Sequence, residues 1–227
     1  PAPASSGRRV THIPVRRARK DDVAFTAALH HAELPHGFFP KLGAPYLRAY
    51  HHTYVTSPHS VALVVEDAGR PCGFLVGTVR HSDHNRFVVR THGLRLSVAA
   101  LRAMLTRPRL AVQFVSTRLG RYVRSLANHL RPTSTRGGVV VDQAAVSSLA
   151  TLSHVAVTPD KRTNGVGSLL VNAFADAART AQCHSTVLST LAEERGAADF
   201  YARLGWVESG RYVDRDGQPW VRMTQPL

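Results

Sequence analysis

A short glycine-containing segment in the last third of the chain has the residue types of an anion-binding loop. It runs from Arg162 to Gly167 as Arg-Thr-Asn-Gly-Val-Gly, between a predicted strand and a predicted helix. Glycine lets a backbone come close to a ligand, and the first N–H groups of a helix have no partner inside that helix. Because the positive end of the helix dipole lies at the same place, the segment predicts a site for a phosphate.

The glycine spacing excludes the two common nucleotide-binding motifs. The P-loop pattern G-x-x-x-x-G-K is absent. The dinucleotide fingerprint requires a third glycine, and Leu170 occupies that position. The anion must therefore be sought in another class of ligand.

The remaining reactive side chains form weaker patterns. The chain has 13 histidines and 2 cysteines, but no spacing among them matches a metal site, so no metal is expected. Cys72 and Cys183 fall in or near predicted strands, which favours buried thiols. The G-x-S-x-G elbow of many serine hydrolases is absent.

The loop and its surroundings resemble the acyl-CoA-binding region of the GNAT superfamily of N-acetyltransferases. That family places Gln/Arg-x-x-Gly-x-Gly/Ala after a strand ending in Ala-Val-x-Pro, and residues 155–167 read VAVTPDKRTNGVG. Residues 197–206 read AADFYARLGW, which is similar to the family's later A-x-x-F-Y-x-x-x-G-F/W segment. The resemblance is close over 149–227, looser over 10–80, and does not include 86–131.

The resemblance implies acetyl-CoA as the co-substrate and indicates which residues hold it. The backbone of Val155, Ala156 and Val157 is expected to pair with the pantetheine arm, which requires this strand to separate from its neighbour, usually through a β-bulge. Glu194 stands where many relatives have an asparagine that touches the same arm. The residues expected around the pyrophosphate are Arg162, Thr163, Asn164, Gly165, Val166, Gly167 and Ser168.

The implied reaction is direct attack of a neutral amine on the thioester in a ternary complex. A backbone N–H near Val157 is expected to stabilise the negative charge that develops on the carbonyl oxygen. Tyr201 matches the tyrosine that often gives a proton to the departing thiolate.

The general base is a second part of the family pattern that this chain does not match. Many relatives carry a glutamate on the central strand, and Thr151 occupies that position. Ser153 is expected on the same strand face, where it can only relay a proton, and His154 on the opposite face in a packing role. The loop after the first helix offers Glu33 and His36 as candidate bases, and bulk water is a further alternative.

The elements that must position these residues follow from hydrophobic spacing and turn signals. Together they predict a mixed α/β fold with a largely antiparallel sheet that is splayed at strand 152–157. The resemblance implies the GNAT-like acyl-CoA N-acyltransferase fold with an inserted helical hairpin. Strands are predicted over 11–17, 60–66, 73–80, 152–157, 185–190, 211–213 and 219–224. Helices are predicted over 21–32, 45–55, 165–181 and 195–204.

The 227 residues carry a net charge of +14, and two segments hold the basic excess. Residues 1–20 have six basic side chains and no acid, and residues 81–131 have ten arginines and one acid. Such surfaces favour anionic partners. We predict one domain over 1–227, with a flexible N-terminus over 1–9, a basic helical insertion over 86–131 and an acyl-CoA-binding half over 149–227.

The role of the basic insertion stays open at this stage. It could form a wall or lid that attracts an anionic amine, in which case Arg118, Arg121 and Arg124 should affect substrate binding. It could equally form an arm for a homodimer, or the solvated face of a packed helix. Nucleic-acid binding is disfavoured because aromatic residues are sparse there and no known module is present.

The sequence is therefore interpreted as an acetyl-CoA-dependent N-acetyltransferase that acts on a primary amine of a small molecule. The alternatives are a peptide or protein amine, an O-acetyl or longer acyl transfer, and a non-catalytic acyl-CoA- or nucleic-acid-binding module. No apolar run approaches the ~20 residues of a membrane helix, and residues 1–10 lack the apolar centre of a signal peptide. A cytoplasmic location and no membrane partner are expected. A bacterial origin is also expected, since residues 33–43 are similar to one bacterial GNAT subgroup.

Overall fold

A computed structural model describes residues 14–114, 148–193, 196–214 and 216–227. The predictions for the N-terminus over 1–9, for the insertion beyond residue 114, and for Glu194 lie outside these residues, as do Arg118, Arg121 and Arg124.

The described residues form seven strands and seven helices. The strands are β1 (Val15–Arg17), β2 (Ser60–Asp67), β3 (Arg70–Thr78), β4 (Leu149–Val157), β5 (Ser185–Leu191), β6 (Val207–Val213) and β7 (Pro219–Pro226). The helices are α1 (Val23–Glu33), α2 (Phe38–Lys41), α3 (Ala44–Thr56), α4 (His81–Leu105), α5 (Pro108–Phe114), α6 (Val166–Thr180) and α7 (Ala197–Arg203). Short 3-10 turns precede α1 and follow β4.

The strands form one sheet in the order β1-β2-β3-β4-β5-β7-β6. Strands β4 and β5 run parallel, and every other neighbouring pair is antiparallel. This arrangement confirms the predicted mixed α/β fold with a largely antiparallel sheet.

Two helical layers cover the two faces of the sheet. On β2, Leu63 and Val65 belong to the core beneath α6, while Ala62 and Val64 belong to the core beneath α1 and α3. This division follows from the two-residue period of a strand. Helix α6 buries Leu170 and Phe174 completely, and α7 joins the same core.

Helices α4 and α5 lie in the chain between β3 and β4, where a helical insertion is predicted. One side of α4 packs against the segment formed by α2 and the start of α3, through Phe38, Leu42 and Tyr46. Helix α2 was not expected, because the Pro- and Gly-rich stretch 35–44 belongs to the loop predicted after the first helix. None of the described helices is long and apolar enough to cross a membrane.

Candidate active site

Strand β4 leaves its parallel neighbour part-way along its length. It pairs with β5 only over Leu149–Thr151, whereas its pairing with β3 continues to Val157. Opposite β3, Val76 pairs with His154 and Gly77 pairs with Leu152, so Ser153 is an extra residue in a β-bulge. Beyond Thr151, β4 therefore presents a backbone edge that β5 does not occupy.

The bulge depends on a glycine in the neighbouring strand. A Cβ atom at Gly77 would lie 2.6 Å from the backbone oxygen of Thr151 and 2.5 Å from the ring of Phe174. No side chain fits at such distances, so Gly77 allows the close approach of β3, β4 and α6 at the point where β4 and β5 separate.

The predicted anion-binding loop connects β4 to α6. Gly165 adopts a left-handed conformation with φ of 74°, and a Cβ atom there would meet nothing within 4 Å. The N–H groups of Val166, Gly167 and Ser168 open the helix and have no carbonyl four residues earlier inside it. This helix end combines an open approach with unpaired donors, which is the geometry of an anion site.

Arg162 connects this loop to two other parts of the molecule. Its Nε donates a hydrogen bond to the carbonyl oxygen of Val157 at 3.4 Å, and its guanidinium forms an ion pair with Glu33 at the end of α1. A candidate base and a candidate pyrophosphate ligand are thus partners of each other, which the sequence did not indicate. His36, the other candidate from this region, is exposed in the loop before α2.

Tyr201 lies in the core beneath α7, where it is 5% exposed. Its ring lies against Phe200 and Trp206, with centroid distances of 5.1 and 5.7 Å. Phe200 in turn would touch a Cβ atom placed at Gly167, at 3.2 Å, so Tyr201 lies close behind the start of α6. Burial raises the pKa of Tyr201, so its phenol group keeps its proton at physiological pH.

The expected alternation of Ser153 and His154 is wrong, and the bulge is the reason. Both side chains face α3, since Leu152 and Val155 on either side of them belong to the opposite core beneath α6, and Nε2 of His154 lies 3.0 Å from the hydroxyl oxygen of Tyr50. An inserted residue breaks the two-residue period, so two consecutive side chains share one face. Neither tyrosine stands out in the sequence, although their spacing of four residues on a predicted helix places them on one side.

Two more histidines lie behind His154. Nδ1 of His30 and Nε2 of His51 are 2.8 Å apart, and both side chains are 1% exposed. Burial lowers the pKa of His30 to about 4 and of His51 to about 3, and it holds the pKa of His154 well below its usual value. All three are neutral at physiological pH. Across the described part of the chain, no group of three or more His, Cys, Asp or Glu side chains could hold a metal ion.

A comparison with protein families matches the part of the chain that holds β4, α6 and α7. Residues 127–227 match the family described as the acetyltransferase (GNAT) domain. Residues 127–227 are therefore assigned to a GNAT acetyltransferase domain. This finding confirms the family resemblance and the assignment of the chain as an acyltransferase enzyme. A comparison with curated protein sequences finds no match.

Solved GNAT structures share the fold of nearly the whole chain. YncA from Salmonella typhimurium, solved with its cofactor acetyl-CoA, superposes with a TM-score of 0.56 at 13% identity, covering 95% of this chain and 94% of that chain. Ribosomal-protein-alanine N-acetyltransferase from Brucella melitensis gives 0.56 at 13% identity, with 94% and 99% covered. Spermidine/spermine N-acetyltransferase SpeG from Vibrio cholerae gives 0.53 at 14% identity, with 94% and 92% covered. At these identities the likeness shows the fold.

Proposed function

We propose that this GNAT domain transfers an acetyl group from acetyl-CoA to a primary amine of a small molecule, by direct attack in a ternary complex. The observation that carries the proposal is the separation of β4 from β5 at the Ser153 bulge, directly before a helix that begins with unpaired N–H groups. A free strand edge suits a ligand arm with amide groups, and the helix end suits a pyrophosphate.

The proposed contacts use the residues expected from the sequence. The backbone of Val155, Ala156 and Val157 would pair with the pantetheine arm, which β5 leaves room for. The loop from Arg162 to Ser168 would hold the pyrophosphate, with the N–H groups of α6 as donors and Arg162 as the cation. When bound there, acetyl-CoA supplies an activated thioester close to the bulge.

The protein would act on charge and protons at two places. A backbone N–H near Val157 would donate to the carbonyl oxygen as negative charge develops on it. As the carbon–sulfur bond breaks with its electron pair on sulfur, Tyr201 would pass its phenol proton to the thiolate and later recover one from water. This transfer is uphill, because burial raises the pKa of Tyr201 above that of a thiol near 8.5. We therefore expect Tyr201 to contribute about 10²-fold, the lower end for general acid catalysis.

The acceptor class follows from chemistry common to GNAT neighbours rather than from this chain's own contacts. Two neighbours are named for amine acceptors: spermidine or spermine for SpeG, and the alanine of a ribosomal protein for the Brucella enzyme. A small-molecule amine is our first proposal and a peptide amine the second. The cytoplasmic location, the bacterial origin and a homodimer through the insertion remain predictions from the sequence.

The first test is a calorimetric titration of the protein with acetyl-CoA at low and moderate salt. One-site binding that persists as salt rises is expected, since the loop makes specific contacts. Binding that vanishes with salt would overturn the proposal, because a basic surface binds any polyanion in that way. Thiol release with spermidine and with a peptide beginning in alanine then tests turnover. Tyr201→Phe should slow release and leave acetyl-CoA binding unchanged, whereas Tyr212→Phe on exposed β6 should alter neither.

A further inference from the structure

A continuous line of hydrogen-bonding side chains runs between β4 and α3. The hydroxyl group of Ser153 lies next to that of Tyr54, the hydroxyl oxygens of Tyr54 and Tyr50 are 2.9 Å apart, and that of Tyr50 lies 3.0 Å from Nε2 of His154. The line begins and ends on adjacent residues of β4 and passes through two tyrosines one helical turn apart. Each member can both give and receive a proton.

We propose that this line, the Ser153–His154 relay, carries away the proton that the attacking amine releases, with His154 as the final acceptor. The inference rests on the proposed function and names the base that it lacks. It gives a role to Ser153 and His154 together, and it adds Tyr54 and Tyr50 as residues that pass the proton between them.

The proton steps balance without any further reactant. As the amine attacks, one N–H bond breaks, its electron pair stays on nitrogen, and the proton passes to the oxygen of Ser153. Ser153, Tyr54 and Tyr50 each pass their own hydroxyl proton to the next member, and the lone pair on Nε2 of His154 accepts the last one. All three hydroxyl groups are restored and His154 becomes an imidazolium. After the product leaves, the reverse path returns this proton to water.

The position of Ser153 supports its place at the entry of the relay. Ser153 is the bulge residue, and it lies directly after Thr151 and Leu152, where the pairing of β4 with β5 stops. Its side chain is partly exposed, whereas Tyr54 behind it is 6% exposed. Tyr50 and His154 are partly exposed as well, so the relay passes through buried Tyr54 between two partly exposed ends.

The groups around His154 keep it unprotonated at rest. From α1 and α3, His30 and His51 face it, and the rings of His30 and His154 are 4.4 Å apart between centroids. Burial, followed by these two histidines, lowers the pKa of His154, and none of the groups that shift it is a carboxylate. His154 is thus an unprotonated acceptor at rest. Proton transfer to it is uphill, as it is for Tyr201, and the imidazolium gives its proton back readily after each turnover.

The test removes one hydrogen-bonding group of the relay in each variant. Tyr50→Phe and Tyr54→Phe delete one oxygen each and keep the packed ring, Ser153→Ala removes the entry group, and His154→Gln removes the acceptor. Free thiol release from acetyl-CoA is followed with spermidine and with water alone as acceptor. Each variant is expected to release thiol about 10²-fold more slowly, the size of a lost general base, with unchanged calorimetric affinity for acetyl-CoA.

A pH series separates a relay from a structural role. Because hydroxide and free amine become more abundant at high pH, the rate deficit of each variant should shrink as the pH rises. A packing defect would lower the rate by one factor at every pH and would also lower the melting temperature. Tyr212→Phe is the matched control for the loss of a tyrosine oxygen.

A second readout needs no turnover. The imidazole ¹⁵N resonances of His154 are identified by their loss in His154→Gln. In Tyr50→Phe the Nε2 resonance should shift, because its hydrogen-bond partner is gone, and in Tyr54→Phe it should shift less. An Nε2 resonance identical in Tyr50→Phe and wild type would overturn the relay.

The outcomes also separate the relay from the function on which it rests. If wild-type protein fails to bind acetyl-CoA, the proposed function falls and the relay with it. If wild type binds and releases thiol, to spermidine or to water, and the four variants release it equally fast, the relay alone is wrong.

Discussion

Gly165, at the start of α6, offers the sharpest test of the proposed anion site. Its φ of 74° is left-handed, and a Cβ atom there would meet no other atom within 4 Å. The free-energy cost of Gly165→Ala would therefore come from the backbone conformation alone, because the new methyl group clashes with nothing. The substitution tests how strongly the affinity of the loop for a phosphate depends on the direction of the N–H groups of Val166 and Gly167.

The expected magnitudes can be worked from the backbone alone. A left-handed alanine costs about 1–2 kcal/mol. Part of this cost is offset, because alanine lowers the conformational entropy of the unfolded chain and so stabilises the fold by about 0.4–1 kcal/mol. A net loss of about 1 kcal/mol corresponds to about 2–4 °C in melting temperature for a chain of this length. If the backbone instead relaxes, the N–H groups of Val166 and Gly167 turn away, and affinity should fall by at least about fivefold, or 1 kcal/mol.

Gly217, in the turn between β6 and β7, provides a matched control. Its φ is 80°, and a Cβ atom there would also meet nothing within 4 Å. Gly217→Ala should therefore lose a similar free energy of unfolding while binding acetyl-CoA as wild type does. The assay is thermal unfolding together with calorimetric titration of acetyl-CoA for both variants and wild type.

Two results would refute this reasoning. Wild-type affinity in Gly165→Ala would show that the start of α6 does not hold the ligand. Equal losses of affinity in Gly165→Ala and Gly217→Ala would show that affinity follows global stability rather than the direction of the loop's N–H groups.

Three further predictions concern the sheet, the ion pair and the buried histidines. Gly77→Ala should lower the free energy of unfolding by about 3 kcal/mol in denaturant titration, because its Cβ would lie 2.6 Å from the backbone oxygen of Thr151; near-wild-type stability would contradict the close approach. Glu33→Gln should free Arg162 and raise acetyl-CoA affinity by up to about fivefold, the worth of an exposed ion pair, while Arg162→Ala should lower it. Burial lowers the pKa of His51 to about 3 in the folded protein. The contribution of the neutral side chain to the free energy of unfolding is therefore complete above pH 6.5 and is lost as the pH falls toward 3. Unfolding at pH 7 and pH 5 should show a steeper loss in wild type than in His51→Gln.

The sequence predicted the half of the molecule in which local signals agree. The residues from Val155 to Gly167 combine an apolar strand, a proline turn, and glycines at the start of an apolar-periodic helix, and each signal acts over a few neighbouring residues. The same reasoning placed the order of strands and helices correctly, with boundaries shifted by a few residues. The extra helix α2 was missed because Pro and Gly in the stretch 35–44 suggested a loop without regular structure.

The surroundings of the candidate acid–base residues were harder to predict from the sequence. Alternation placed Ser153 and His154 on opposite faces, and a bulge cannot be read from the bulged strand alone, because it depends on the pairing partner. Glu33 was proposed as a free base, but its ion pair with Arg162 joins groups 129 residues apart in the chain.

The sequence by itself determined the fold class and predicted the family and the position of an anion-binding loop, because these follow from residue types at short, fixed spacings. Only the tertiary structure decided which side chains share an environment. It placed Tyr50 and Tyr54 between Ser153 and His154, and it buried the histidines behind them, which sets their protonation. Burial and hydrogen bonding between distant segments depend on how helices dock onto the sheet, and no local pattern encodes that docking.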